Sequence, residues 1–119
     1  MTDELVGLVE INTDEFLEFA IYRKGLSTQI TGKQVFNALI EHLKIRKIPF
    51  KGIRGLWSGA SDNVTAFNNA IQKGMTAEKA AFDTWTGQRA LEQGYGKVII
   101  QELTPPTPPH AKIYVKFYK

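Results

Sequence analysis

KVIIQELTPPTPPHAKIYVKFYK, residues 97–119, closes the chain and reads as two strands with a rigid connection between them. KVIIQEL and AKIYVKFYK are rich in β-branched and aromatic residues, which suit a pleated, half-buried surface. The connecting segment, Thr104-Pro105-Pro106-Thr107-Pro108-Pro109, holds four prolines. Such a segment is stiff, extended and excluded from any ladder of hydrogen bonds. Side chains alternate across a strand, so Ile113, Val115 and Phe117 point one way, and Lys112, Tyr114, Lys116 and Tyr118 the other. The second set interleaves cations with rings, offering charge for phosphates and platforms on which bases stack. The same pattern also suits an exposed strand face whose Tyr and Lys serve as β-formers and edge protection.

Upstream, residues 76–94 are predicted as one helix. Thr76 stands at its N-cap with Glu78 in the first turn, and it runs through DTWTGQR (83–89) to Gly94. Thr and Gly are poorer helix formers than Ala. Ala80, Thr84, Gly87 and Leu91 nevertheless share one narrow face. Gly87 on that face lets helix and strand backbones approach. The threonines can bond the carbonyls of the preceding turn, and Phe82 and Trp85 are read as core. Asp62 or Ser61 caps a preceding helix bearing Val64, Phe67 and Ile71, stopped by Gly74 just past its end. FKGIRGLWSG, residues 50–59, is read as a short strand running into a loop.

The first half follows the same logic. Thr31 and Gln34 form a capping box, with Ile30 and Val35 as a hydrophobic staple. Val35, Phe36, Leu39, Ile40 and Leu43 make an apolar stripe at helical spacing, and Pro49 ends the segment. LVGLVEINTDEFLEFAIYRK, residues 5–24, reads as a hairpin with Asn12-Thr13-Asp14 as its turn. The order ββαβααββ predicts an α+β fold, a mostly antiparallel sheet flanked by helices. The expectation is a single domain over 1–119, with 1–25 an acidic accessory hairpin and 50–119 the core.

Charge divides the chain. Residues 1–20 hold six acids and no Lys or Arg, whereas 21–54 hold eight bases against the single acid Glu41. A basic block of this kind attracts polyanions, above all nucleic acid. It is also what a solvated basic face would look like with the acidic hairpin folded beside it. There is no cysteine, which removes disulfides and thiolate metal sites and suits a reducing compartment. No apolar run approaches the roughly 18 residues of a membrane span, and the acidic start lacks the basic region of a signal peptide. The chain as written is therefore expected in a cytoplasm.

Among chemical motifs, His42 has no metal-spaced partner. The nucleophile elbow of hydrolases and the glycine patterns of nucleotide-binding loops do not occur. Nothing calls for a cofactor or a metal. What stands out is RGLWSGASDN (54–63), an Arg and a Trp among loop-forming residues, just ahead of DTWTGQR.

GIRGLWSGASDNVTAFNNAIQKGMTAEKAAFDTWTGQRALEQGYGKVII (52–100), with the closing YVKFYK (114–119), resembles the C-terminal toxin domains of bacterial polymorphic toxins. These are the tips of contact-dependent inhibition and Rhs-type proteins. The resemblance covers about Phe50 to Lys119 and rests on Trp57 ahead of DNVTAFNNAI, then AAFDTWTGQRA, then Gly-Tyr and two strands. Such tips stand at the end of very long proteins, whereas this chain begins with Met1 and its first 30 residues lie outside the match. Many such domains are similar in layout to the barnase/EndoU/colicin/RelE group of ribonucleases.

The resemblance implies a metal-independent endoribonuclease toxin, commonly acting on tRNA and neutralised by a cognate immunity protein. In that chemistry the 2′-OH attacks the adjacent phosphorus. The step needs a base, an acid and donors for the charge on the phosphate. On this reading His110 is the acid or base, and Arg54, Arg89 and Lys112 hold phosphate. Thr84 and Thr86 orient the phosphate, Trp57 or Tyr114 stacks a base, and Lys116 belongs to the basic strand face. The alternatives are a non-catalytic nucleic-acid-binding module using the Lys/Tyr strand, and a protein-interaction domain with the acidic hairpin as its contact surface.

Overall fold

A computed structural model describes residues 4–11, 15–24, 32–59 and 61–119, and divides into two compact units, Met1–Phe50 and Lys51–Lys119. The second begins within a residue of the predicted core.

In the first unit, β1 (Glu4–Ile11) and β2 (Phe16–Lys24) form the antiparallel hairpin, running from Glu4↔Lys24 to Ile11↔Leu17. Helix α1 (Gly32–Ile45) packs on both strands. Phe36, Ile40 and Leu43 are buried along one stripe of α1, as the spacing requires, and Leu17 is buried on β2. The helix is already closed before Pro49. Lys47 takes a left-handed φ of 56° and the Ile48 N–H returns to the Leu43 carbonyl at 3.0 Å. The predicted turn at Asn12-Thr13-Asp14, and the capping residues Ile30 and Thr31, lie outside the described residues.

The second unit is built from β3 (Gly52–Ser58), α2 (Asp62–Gln72), α3 (Ala77–Phe82), α4 (Trp85–Glu92), β4 (Lys97–Thr104) and β5 (Lys112–Tyr118). β5 pairs antiparallel with β3 on one side and β4 on the other. Its inward residues Ile113, Val115 and Phe117 are fully buried and meet Ile53 and Trp57 of β3. The Phe82 ring reaches Phe117 at 5.3 Å between centroids, so the helices cover this face. Each large side chain so buried is worth roughly 1.5–3 kcal/mol relative to exposure. The fold is α+β with an antiparallel sheet and flanking helices, as the order of elements predicts.

The structure corrects two details. The helix expected over 76–94 is two helices, giving ββαβαααββ, because Thr84 turns extended (φ −83°, ψ 164°) and caps the second. Its hydroxyl accepts from the Gly87 N–H at 2.9 Å and donates to the Ala81 carbonyl at 2.7 Å. Gly87 does permit a close approach, but of helix to helix. A Cβ there would lie 2.1 Å from the Ala81 carbonyl oxygen and 2.6 Å from Phe82 Cα. The unusual composition of DTWTGQR is that of a tight joint between α3 and α4.

A second irregularity lies in β4. The register passes from Ile100↔Val115 directly to Glu102↔Tyr114, so Gln101 is an extra, unpaired residue. Such a bulge shifts the alternation of every residue beyond it. Ile99 faces outward before it, and Glu102, not Gln101, faces outward after it. Leu103 is thereby kept on the inner side, opposite Ile113.

Candidate nucleic-acid interface

With the inner face of the β3–β5–β4 sheet covered, the other face is defined by the pairing. β3 contributes Arg54, Leu56 and Ser58; β5 contributes Lys112, Tyr114, Lys116 and Tyr118; β4 contributes Lys97, Ile99, Glu102 and Thr104. Opposite residues stand about 5 Å apart at Cβ, so these side chains form one continuous surface. Leu56 and Ile99 are 48% and 46% exposed, which shows the surface open to solvent.

Arg54 and Tyr114 lie at its centre. The guanidinium carbon stands 5.9 Å from the ring centroid, and Nη1 makes a long contact of 3.5 Å with the phenol oxygen. Lys116 pairs with Arg54 in register, and Lys97 Nζ lies 6.0 Å from the Tyr118 ring. Glu102 brings a carboxylate to this face. Thr104 donates a hydroxyl hydrogen bond to its Oε2 at 2.8 Å, and Lys112 Nζ approaches the same oxygen at 3.8 Å. Both partners of the ion pair are about half exposed, at 51% for Lys112 and 43% for Glu102. An exposed pair of this kind contributes little to stability.

The sequence-predicted residues separate into two groups. Arg54, Lys112, Tyr114 and Lys116 converge on the open face. Trp57, Thr84, Thr86, Arg89 and His110 belong to the inner, helical side. Trp57 is 6% exposed, lies against Phe117 with centroids 6.4 Å apart, and would clash with a Cβ at Gly55. Thr86 exchanges two hydrogen bonds with Asn63 of α2: its N–H donates to Oδ1 at 3.3 Å, and its hydroxyl accepts from Nδ2 at 3.0 Å. Arg89 stacks over Trp85 at 5.1 Å and pairs with Glu92, donating from Nη2 at 3.0 Å. Its Nε lies 2.9 Å from the other carboxylate oxygen without an aligned hydrogen bond.

His110 is 4% exposed. A carbonyl only accepts, so its Nδ1 must carry a proton and donate to the Pro105 carbonyl, 2.7 Å away. Asn68 holds its backbone at both ends, accepting from the N–H and donating to the carbonyl, each at 2.8 Å. The ring meets Phe67 edge-on at 5.7 Å. His110 thus ties the proline-rich loop to α2. Arg54 and Thr86 stand on opposite sides of the sheet, so no phosphate seat is built from both.

A cleft of about 560 Å³ lies between α2 and the loop, lined by Asn68, Asn69, Ile71, Gln72, Pro108 and Pro109. It has no charged side chain with which to draw an anion. Behind α4, burial raises the phenol of Tyr95 above its usual range. Among the described residues, no helix is long and apolar enough to cross a membrane, and no three His, Asp or Glu side chains gather as metal ligands.

Sequence reasoning missed Glu102, Lys97 and the apolar pair Leu56 and Ile99. Lys97 and Ile99 were legible in principle, since antiparallel pairing of KVIIQEL with KIYVKFY places them beside Tyr118 and Lys116. Glu102 was not, because without the bulge it would be assigned to the inner face. The chain matches no protein-family model, no curated protein and no solved structure.

Proposed function

We propose that the protein is an RNA-directed toxin domain that seats its substrate on the open face of the β3–β5–β4 sheet and cleaves it without a metal. The observation that carries this reading is the coupling of Arg54 to Tyr114 at the centre of an exposed surface that also holds Lys97, Lys112, Lys116 and Tyr118. Arg and Lys neutralise phosphates, and exposed rings stack bases irrespective of sequence. Leu56 and Ile99 add apolar area against which bases also pack. The substrate is RNA, with tRNA the first to test.

Cleavage proceeds by attack of a 2′-OH on the adjacent phosphorus. The 2′-oxygen–phosphorus bond forms, the bond to the 5′-oxygen breaks, and the products carry a 2′,3′-cyclic phosphate and a 5′-hydroxyl. Arg54 and Lys116 counter the charge developing on the phosphate. The 2′-OH gives its proton to a solvent water, and the Tyr114 hydroxyl or a lysine ammonium supplies the proton that the departing 5′-oxygen takes up. A cognate immunity protein covering this face, and action in the cytoplasm of a producing or target bacterial cell, complete the proposal.

Purified protein incubated with total tRNA in EDTA should yield discrete fragments ending in cyclic phosphate, and Arg54→Ala and Tyr114→Ala should abolish them. Intact tRNA from a folded protein would leave the second reading, a nucleic-acid-binding module without catalysis. One observation favours that reading: the hydroxyls of Thr84 and Thr86 and the Nδ1 of His110 are all engaged in holding the fold. It expects salt-dependent binding that weakens in Lys112→Ala and Lys116→Ala.

A further inference from the structure

An anion-binding surface has no use for a carboxylate facing the phosphates, since like charge repels them. Yet a one-residue bulge places one there. Were Gln101 paired in the ordinary way, it would face Tyr114 and Glu102 would turn toward the helices. The bulge instead sets Glu102 opposite Tyr114, with Lys112 beside it. Bulges are over-represented beside functional sites, where they re-aim a side chain. Thr104 then holds the carboxylate through Oε2, leaving Oε1 and further lone pairs open to solvent.

We infer that Glu102 and Lys112 form a base-reading pair and that the open face selects guanine. This rests on the reading of that face as an RNA-binding surface. An ionised carboxylate only accepts hydrogen bonds, through two oxygens side by side, and an ammonium only donates. A base stacked on Tyr114 presents its Watson–Crick edge to the neighbouring strand, the arrangement by which unpaired RNA bases are read. The guanine edge carries two adjacent donors, N1–H and the N2 amine, followed by the O6 acceptor. Two donors match the carboxylate and O6 matches the lysine. Adenine and cytosine offer the carboxylate a single amine, and uracil offers one imide N–H between two acceptors. Guanine therefore gains one hydrogen bond to Glu102 that no other base makes. A good bidentate contact of this kind discriminates by about tenfold or more.

The test uses 2′-O-methyl heptamers of uridine with a single central G, inosine, A or C, which cannot be cleaved. Affinity is measured by fluorescence anisotropy for the full chain and for Glu102→Gln. The central G should bind about tenfold more tightly than A or C. Inosine, which lacks the N2 amine, should fall between them. Glu102→Gln, exposed and unneeded for packing, should melt with the parent chain, retain binding and lose the preference for G. Equal affinity of the parent chain for all four oligomers would overturn the inference while leaving RNA binding intact. So would a preference for G that survives in Glu102→Gln. If the folded parent chain binds none of them, the RNA reading itself falls and the inference with it.

Discussion

The two sides of the second unit put their polar residues to opposite ends. On the helical side, Thr84, Thr86, Asn63, Asn68 and His110 all bond backbone groups or one another within covered space. On the sheet's other side, Arg54 makes a long contact with Tyr114, and Lys112 and Glu102 meet as a half-exposed pair. Buried polar groups are costly unless satisfied, so the first set is held in place by the fold it stabilises. Exposed ones contribute little to folding. The difference teaches which polar residues are available to a ligand: those whose removal the fold would not notice.

Substitutions turn that contrast into measurements. The largest effect belongs to Gly87→Ala, whose Cβ would meet backbone atoms that have nowhere to move. It should destabilise by about 3 kcal/mol in urea titration. A loss below about 1 kcal/mol would show the α3–α4 joint to be loose. Asn68→Ala comes next, because it strands the N–H and carbonyl of His110 together. A loss of about 2 kcal/mol is expected, with RNA affinity unchanged where the protein remains folded.

Arg54→Ala should behave in the reverse way. Affinity for single-stranded RNA should fall about tenfold, the slope of log affinity against log salt should flatten by about 1, and the melting curve should move less than that of Asn68→Ala. An unfolding shift comparable to that of Asn68→Ala would erase the contrast. The smallest effect is that of Lys112→Ala on stability, below about 0.5 kcal/mol, since its partner Glu102 is exposed. A larger loss would mean that this ion pair belongs to the fold after all.

Much of the architecture was legible because it rests on local chemistry. Ser61 and Thr76 accept from backbone N–H groups as helix caps, and Gly74 takes a φ of 95° past the end of α2. The alternation of KIYVKFY assigned both faces of β5 correctly. What escaped depends on contacts between distant segments. Nothing in DTWTGQR announces that Thr84 caps a new helix and does not continue the old one, since a mid-helix threonine and an N-cap threonine look alike in sequence. The bulge at Gln101 carries no glycine or proline to mark it, and it is set by partners on β5. Trp57, Thr86 and Arg89 sit close in sequence to loop-forming residues, and only tertiary packing decides that they turn inward.

The placement of the two tryptophans has an optical consequence. Trp57 lies over Gly55 in the core, and Trp85 on α4 is paired with Arg89, so both indoles stand across the sheet from the open face. Tryptophan emission, excited apart from that of Tyr114 and Tyr118, is therefore a gauge of unfolding set away from the place where a ligand arrives. Denaturation can be followed by fluorescence in the presence of oligonucleotide.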